Sequence, residues 1–355
     1  MVILKKQQDL IFIILLLTLF SNLVTFSCAA REVTDLSGRQ VKIPEKINRL
    51  VAVGPGSLRM VVYLKAANRV VGVEEFERRN RKTPYNLAHP ELADLPLIGP
   101  QFGGDAELIT AQQPEIIIAA YLTKANLNTL AAKTKIPVVS ITSQNADSLT
   151  ESDFKNQLKF LGDILHQQQR AAELIARFEF HKKYLSSKVA ALNPSEKIMT
   201  KVYVGGIGNK GAHGICSTES GYLPFKYLDL KTIIAADSNK NITIDKEKLL
   251  LSNPGLIFVD TGGLNLVKED LTRQEFSYLQ AYQADNFYQL LPYNYYTTNY
   301  ATLLANSYYI AKVVYPDLFN DFVPAQKADQ IYQEFVGQAV YQKMTAIFGG
   351  LKKYN

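Results

Sequence analysis

Tryptophan is absent from this chain of 355 residues, and cysteine and histidine are scarce, at 2 and 4 copies. Because Cys28 lies in a leader segment, only Cys216 is certain to remain in the processed chain, which excludes an internal disulfide framework. A bare divalent metal needs three or four His, Asp or Glu side chains that converge on it. Four scattered histidines do not favour such a site, and we predict neither a protein-bound metal nor a cofactor. The histidines are His89, His166, His181 and His213.

Long runs of lysine or arginine are also missing, as is any interleaving of aromatic and basic residues, which argues against nucleic-acid binding. The formal net charge of +6 is compatible with an anionic ligand. No Ser-His-Asp arrangement stands in a recognisable hydrolase pattern. The glycine-rich segment at 205–211 is not a P-loop, because Asn209 replaces its second glycine and Gly211 its hydroxyl residue. We therefore predict that the protein is not an enzyme, with an exported hydrolase as the remote alternative.

Residues 1–30 have the pattern of a secretory signal peptide. A basic start is followed by an almost wholly apolar run at 10–20 and by small residues at 27–30. The apolar run is too short to span a membrane. We therefore predict export to the periplasm and removal of this segment. A lipid anchor on Cys28 is the alternative.

The rest of the chain is organised around the stretch at 50–64. The apolar run Leu50–Val53 predicts a strand, Gly54 and Gly56 predict a turn, and Ser57 stands where a helix would be capped. A strand, a glycine turn and a helix start leave backbone N–H groups pointing at one spot, which favours a negative charge. The alternative is a plain turn with no ligand.

Strand and helix patterns alternate along the chain, which predicts an α/β fold with two Rossmann-like lobes, each on a central, mostly parallel sheet. Between residues 152 and 192 there is no proline, and apolar residues keep helical spacing with a break near His166. We read a shorter helix followed by one long rigid helix that joins the lobes. The predicted divisions are the signal peptide at 1–30, the N-terminal lobe at 31–150, the linker helices at 151–194 and the C-terminal lobe at 195–355.

Two segments of similar design lie at 105–114 and 245–254. In each, a helix that begins after an aspartate ends in proline and leads into an apolar strand. Two lobes of the same design that face each other would leave a cleft between them. Ligands bind at such interfaces, beyond the carboxyl ends of parallel strands.

Four motifs resemble those of the class III substrate-binding proteins of ABC importers. They are LIGP at 97–100, GGIG at 205–208, KGAHG at 210–214 and LPYNYY at 291–296. The resemblance covers essentially the whole mature chain and implies two α/β lobes joined by a rigid helix. This family takes up iron–siderophore complexes, haem, cobalamin and some metal oxyanions. The combination of GGIGNKGAHG with LPYNYY is most similar to the molybdate- and tungstate-binding branch.

A tetrahedral dianion such as molybdate needs many N–H and O–H donors and few acceptors, which glycine loops and tyrosine hydroxyls supply. We expect ligand contacts from both lobes. The candidate ligand-binding residues are Gly56, Ser57, Arg78, Tyr121, Ala212, His213, Tyr293 and Tyr295. The alternative ligand is a large iron chelate, haem or cobalamin, for which the tyrosines would form an aromatic platform.

Glu107 and Glu247 occupy equivalent places in the two repeated segments. A purely structural reading is an acid placed favourably at a helix start. In the family that the chain resembles, one exposed glutamate per lobe docks onto arginines of the membrane permease. The resemblance thus implies a monomeric protein whose partner is an ABC permease dimer in the inner membrane.

Overall fold

A computed structural model describes residues 30–143, 150–208, 210–234 and 240–354. The segment 1–29, and with it Cys28, lies outside the described residues, so the signal peptide and the lipid anchor stay predictions. Within the described ranges, no helix has both the length and the apolar character needed to cross a bilayer.

The first lobe contains a three-stranded parallel sheet preceded by a hairpin. Its elements are β1 (Ala30–Thr34), β2 (Gln40–Pro44), β3 (Leu50–Val53), α1 (Ser57–Tyr63), α2 (Glu75–Arg79), α3 (Pro84–Ala88), α4 (Ala106–Ala111), β4 (Ile116–Ala119), α5 (Lys124–Thr134) and β5 (Val138–Ser140), with short 3-10 helices at Ala67–Arg69 and Pro90–Asp94. The sheet order is β3-β4-β5, and every strand residue is buried. All three carboxyl ends therefore lie along one edge.

The linker consists of two helices, α6 (Glu151–Ile164) and α7 (Gln168–Ala190). Thr150 caps α6 with its side chain and forms a capping box with Asp153. The chain turns between the helices at His166, whose φ of +53° cannot continue a right-handed helix. The sequence-predicted break and the 23-residue second helix are both present.

The second lobe repeats the design around a four-stranded sheet. Its elements are β6 (Val202–Gly205), β7 (Ser217–Ser220), α8 (Leu223–Tyr227), β8 (Lys240–Thr243), α9 (Lys246–Ser252), β9 (Leu256–Asp260), α10 (Leu264–Leu271), α11 (Gln280–Gln283), β10 (Phe287–Leu290) and β11 (Lys352–Lys353), with a 3-10 helix at Gln274–Tyr278. The order is β11-β10-β9-β6, in which only β11 runs antiparallel. This mixed α/β architecture with two mostly parallel sheets confirms the predicted fold class.

The repeated segments form the same unit in both lobes, since α4 leads into β4 and α9 leads into β9. Their caps differ. The Asp105 side chain accepts hydrogen bonds of 2.9 Å from the backbone N–H groups of Glu107 and Leu108. Asp245 precedes α9 without such a side-chain bond. The sequence repeat therefore marks a structural repeat, although only its first copy has the cap made by the aspartate.

Three C-terminal helices complete the fold: α12 (Tyr300–Val314), α13 (Pro324–Val336) and α14 (Tyr341–Phe348). Helix α13 packs against the first lobe as well, where the rings of Phe335 and Tyr63 meet edge to face at 5.3 Å. The His89 ring also lies 3.1 Å from the Val336 carbonyl oxygen. The chain thus returns to the first lobe after building the second, and the predicted division at 195–355 stays a prediction.

His181 lies on α7 and is buried, at 1 % exposure. Its two ring nitrogens lie 2.8 Å from the Tyr308 hydroxyl and 2.8 Å from a Glu334 carboxylate oxygen. Burial alone would raise the pKa of Glu334, but the bond to His181 and nearby positive charges outweigh it and hold that pKa below its ordinary value. The histidine therefore ties the linker helix to the C-terminal helices α12 and α13.

We predict that His181→Ala lowers the free energy of unfolding by about 2–4 kcal/mol, because it removes a buried partner from Tyr308 and Glu334. Urea unfolding followed by circular dichroism measures the change. Lys183→Ala, at an exposed position of the same helix, is the matched control and should alter stability by no more than about 0.5 kcal/mol. An equal, small effect of both substitutions would contradict the proposed tie.

Candidate anion-binding site between the two lobes

The glycine turn after β3 forms the first-lobe wall of the site. Gly54 and Gly56 adopt φ values of +84° and +78°, which favour glycine. A Cβ on Gly54 would lie 2.2 Å from the Ala120 carbonyl oxygen, so no side chain fits. One on Gly56 would lie 2.7 Å from Thr297 Cγ2 of the second lobe. The turn therefore brings bare backbone against the opposite lobe.

Ser57 is not the cap that the sequence predicts. Gly56 occupies the N-cap position of α1, and Ser57 is the first helical residue. The Ser57 hydroxyl donates a 2.7 Å bond to the Gly54 carbonyl oxygen. The glycine turn brings this carbonyl within reach of Ser57. The Ser57 side chain therefore stabilises the turn by a hydrogen bond within it and does not face the other lobe.

Arg59 follows Ser57 by two residues on α1 and is only 1 % exposed. Its Nη1 donates long hydrogen bonds of 3.4 and 3.3 Å to the carbonyl oxygens of Tyr296 and Thr297, and its buried Nε has no partner. No carboxylate of the described residues forms an ion pair with it. A buried guanidinium in this state is under-satisfied and would gain from an anion.

The loop 293–299 of the second lobe lies over this wall. Tyr296 and Thr297 have φ values of +53° and +66°, which are uncommon for residues with side chains, and for a β-branched threonine in particular. Asn299 stabilises the turn, since its Nδ2 donates to the carbonyl oxygens of Tyr293, Tyr295 and Thr297 at 2.9–3.2 Å. The loop can therefore turn its carbonyls toward Arg59.

Aromatic and hydroxyl contacts join this loop to the first lobe. The rings of Phe76 and Tyr296 are stacked with centroids 3.7 Å apart. The Tyr295 hydroxyl donates a 3.0 Å bond to Asn80 Oδ1. The Tyr121 hydroxyl lies 3.1 Å from Thr297 Oγ1. Together these contacts hold the two lobes against each other near Arg59.

Two buried acids of the first lobe lie next to the seam between the lobes. Glu74 accepts 2.9 Å hydrogen bonds from the backbone of Gly54 and Gly103 and from the Tyr296 hydroxyl. Burial nevertheless raises the pKa of Glu74. Burial likewise raises the pKa of Glu77 to about 7, with a smaller contribution from the charge of Glu74. These carboxyls are thus shielded by donors or partly protonated, which reduces their repulsion of an anion.

The glycine loop of the second lobe follows β6. Asn294 Nδ2 donates a 3.1 Å bond to the Gly208 carbonyl oxygen, which ties this loop to loop 293–299. Ala212 and His213 are exposed further along the same loop. The His213 carbonyl packs so closely on Gly263 that a Cβ there would lie 2.2 Å away. Loop 293–299 and the glycine loop at Gly208 form the second-lobe side of the site, whereas Ala212 and His213 lie beyond this contact and stay predictions as ligand contacts.

The structure brings some of the sequence-predicted residues together and not others. Gly56, Tyr121 and Tyr295 meet at the seam between the lobes. Tyr293 is buried within the second lobe, with its ring 5.6 Å from that of Tyr222. Arg78 is exposed on α2, and none of the seam contacts described above involves it. Its role as a ligand contact stays a prediction.

Arg59, Phe76 and Thr297 were missed by the sequence analysis. A signal existed for Arg59, because it interrupts an otherwise apolar helix stripe at 58–64. A charge in such a stripe is buried and therefore needs a partner. Nothing local marks Thr297, since its contact with Arg59 spans 238 positions of sequence.

Two further acids of the second lobe have raised pKa values: Asp260, which is buried at the carboxyl end of β9, and Glu219, which is partly buried on β7. Burial raises the pKa of Asp260 to about 8, and burial together with the charge of Asp260 raises that of Glu219 to about 8. Asp260 accepts a 2.8 Å hydrogen bond from the Gly262 backbone. No group of three or more His, Cys, Asp or Glu residues suited to a metal is found across the described ranges.

A comparison with models of known protein families identifies the family of this chain. The periplasmic binding protein model matches residues 50–293, more than half of the chain. The chain therefore belongs to the periplasmic binding protein family, as the motifs indicated.

The individual relatives share only a low sequence identity with this chain. The molybdate-binding protein MolA of Haemophilus influenzae is 22 % identical over 340 residues, which are 91 % of this chain and 95 % of MolA. The structure of MolA bound to molybdate aligns with a TM-score of 0.69 at 20 % identity, over 87 % of this chain and 98 % of that one.

Two further solved structures share the fold. A periplasmic solute-binding protein of Veillonella parvula aligns with a TM-score of 0.70 at 19 % identity, over 90 % of this chain and 97 % of that one. A periplasmic haem-binding protein of Pseudomonas aeruginosa aligns with a TM-score of 0.55 at 20 % identity, over 76 % and 94 % of the two chains. At such identities the likeness shows the fold.

The raised pKa of Asp260 leads to a prediction about how the stability of the protein depends on pH. The pKa of Asp260 is about 8 when folded, whereas an unfolded aspartate titrates near 4. The folded protein thus binds more protons than the unfolded chain between these values, and stability falls as the pH rises through that range. We predict that Asp260→Asn, which retains an acceptor for Gly262, reduces the fall in melting temperature between pH 5.5 and 8.5.

Differential scanning calorimetry at several pH values measures this slope. Asp229→Asn is the matched control, because Asp229 is exposed, its side chain being 72 % accessible, and its positive φ suits asparagine. That variant should keep the wild-type slope. An Asp260→Asn variant with an unchanged slope would show that Asp260 is not buried in its acid form.

Proposed function

We propose that this protein is the exported substrate-binding component of an ABC importer and that it binds molybdate or tungstate between its two lobes. One observation carries the proposal. The Arg59 guanidinium is buried at the seam, has an unpartnered Nε and makes only long bonds to two carbonyls. Taking a charge out of water is costly unless it is paired, so the site needs a negative partner.

The surroundings of Arg59 suit a small oxyanion. The glycine turn at Gly54–Gly56 allows close approach of the backbone, and the hydroxyls of Tyr121 and Thr297 stand at the seam. Such donors match a tetrahedral dianion, whose oxygens are all acceptors. The similarity to MolA over nearly the whole chain supports this ligand class.

A large iron chelate, haem or cobalamin is the second candidate. The observation that favours it is the aromatic cluster of Phe76, Tyr295 and Tyr296, together with a haem-binding protein among the structural neighbours. Planar ligands bind against open aromatic faces. The faces of Phe76 and Tyr296 stack on each other instead, and this arrangement supports the oxyanion.

We predict that Arg59→Gln weakens molybdate binding at least tenfold, because a charge-assisted hydrogen bond is worth about 1.5–3 kcal/mol. Isothermal titration calorimetry with molybdate, tungstate, sulfate, haem and cobalamin measures it. Arg79→Gln, at an exposed site on α2, is the control and should bind as the wild type does. Arg78→Gln, measured alongside, tests the arginine that the sequence favoured.

A measurable heat of binding with haem or cobalamin, and none with molybdate, tungstate or sulfate, would favour the second candidate. Unchanged molybdate binding by a folded Arg59→Gln protein would remove Arg59 from the site.

We further propose that the protein performs no chemistry. Its family consists of binding proteins, and none of the seam contacts described above pairs a nucleophile with a general base. An exported hydrolase is the alternative from another class. Turnover in a panel of esterase, phosphatase and glycosidase assays, lost on His213→Ala, would favour it.

Delivery requires a permease, and Glu107 and Glu247 are proposed to dock on it. Both are exposed in the first turn of their helices, α4 and α9. Neither side chain makes an ion pair within the described part of the chain. Two matched carboxylates, one on each lobe, would suit basic residues on the two halves of a permease dimer.

We predict that Glu107→Lys or Glu247→Lys abolishes molybdate-dependent uptake in cells, because reversed charge repels a basic partner. Molybdate affinity of the purified protein should stay unchanged, as measured by calorimetry. Glu269→Lys, at another exposed glutamate, is the control and should support uptake. A loss of affinity in the isolated docking variants would reject this role.

A further inference from the structure

A cavity of about 370 Å³ lies within the second lobe, apart from the seam that contains Arg59. All residues that line it fall between 212 and 352. Its walls are the start of α10, the strand β10 and the segment 347–352 that leads into β11. The cavity therefore belongs to one lobe and does not depend on closure of the two.

The start of α10 supplies hydrogen-bond donors to this cavity. Its N-cap, Gly263, makes no side-chain bond. The N–H groups of Gly263 and Leu264 are paired with carbonyls of the preceding turn at 3.1 and 3.4 Å. Those of Asn265 and Leu266, which also line the cavity, have no such partner in the part of the chain described. Unpaired first-turn donors and the helix dipole both favour negative charge.

The charged side chains of the lining have one sign. Lys268 and Lys352 line the cavity, and its lining contains no aspartate or glutamate. Lys268 extends from α10 itself, and Lys352 comes from β11 on the opposite wall. An anion in this space would therefore meet cations from two elements.

Gln289 provides an independent observation, which is a buried acceptor without a donor at this cavity. It lies on β10, lines the cavity and is only 5 % exposed, and its buried Oε1 has no donor. This oxygen lies against Gly349, where a Cβ would be 3.1 Å away. A buried acceptor without a donor destabilises the folded protein. The molecule that fits the cavity should therefore carry an O–H group as well as negative oxygens.

We propose that this cavity binds a hydrogenphosphate group. Its charged oxygens accept from the Asn265 and Leu266 N–H groups and from the two lysines, and its P–OH donates to Gln289 Oε1. Sulfate and molybdate lack this proton at neutral pH, so Gln289 discriminates against them. The ligand is therefore inorganic hydrogenphosphate, because a phosphomonoester is largely a dianion without a P–OH at neutral pH.

The test is calorimetric titration of the purified protein with inorganic phosphate, glycerol phosphate and sulfate at pH 7. We expect inorganic phosphate to bind at least tenfold more tightly than sulfate, and more tightly than glycerol phosphate, whose dianion also lacks a P–OH at this pH. Lys268→Gln should weaken phosphate binding about tenfold, and Lys248→Gln, at an exposed position on α9, should not. Gln289→Leu, which keeps the size of the side chain, should remove the preference for phosphate over sulfate.

Glycerol phosphate serves as a control and should bind more weakly than inorganic phosphate. The proposal is overturned if inorganic phosphate does not bind, if sulfate or glycerol phosphate binds equally well, or if Lys268→Gln and Gln289→Leu leave phosphate binding and its preference over sulfate unchanged. Loss of phosphate binding on Arg59→Gln would also overturn it, since the anion would then lie in the seam. Molybdate binding in the Lys268→Gln variant reports on the seam separately, so failure of one site is distinguishable from failure of the other.

Discussion

The buried guanidinium of Arg59 is the constraint around which the seam is built. A charge removed from water must be satisfied by acceptors or by an opposite charge. Loop 293–299 provides two carbonyls, and it does so through unusual positive φ values at Tyr296 and Thr297. Gly56 has no side chain to separate the arginine from this loop. Backbone strain, a bare glycine and a buried charge thus meet at one place, as functional sites tend to show.

The scaffold keeps these groups opposite each other. Parallel strands bring the ends of β3 and β4 to one edge of the first sheet, and those of β6, β9 and β10 to one edge of the second. The linker helix and α13 also connect the lobes, through contacts such as His181 with Glu334 and Phe335 with Tyr63. Because these contacts hold the lobes together, loops from distant parts of the sequence meet at the seam.

Charge is distributed unevenly among the buried residues around the seam. Arg59 has no carboxylate partner in the described structure, whereas nearby acids are bonded to N–H and O–H donors or have raised pKa values. Burial favours the neutral form of each such acid. The interior therefore offers donors and one fixed positive charge to a ligand while it reduces negative charge at the same depth. The cavity beside Gln289 has the same excess of positive charge, because lysines and helix N–H groups line it and no acid does.

The sequence alone determined the elements whose cause is local. Apolar runs predicted β3, β4 and β9, the glycines predicted the turn after β3, and the proline-free segment with its break at His166 predicted the two linker helices. The repeat of helix, proline and strand predicted two similar lobes, and the motifs predicted the family that the comparison then showed. Each of these signals depends on neighbours within a few turns of chain.

Only the tertiary structure decided which side chains meet at the site. It placed Gly56 instead of Ser57 at the helix cap, brought Arg59 to the seam while Arg78 stayed on the surface, and separated Tyr293 from Tyr295 within one loop. The physical reason is distance along the chain. The contact between Arg59 and Thr297 joins residues 238 positions apart, and no periodicity or capping rule extends that far.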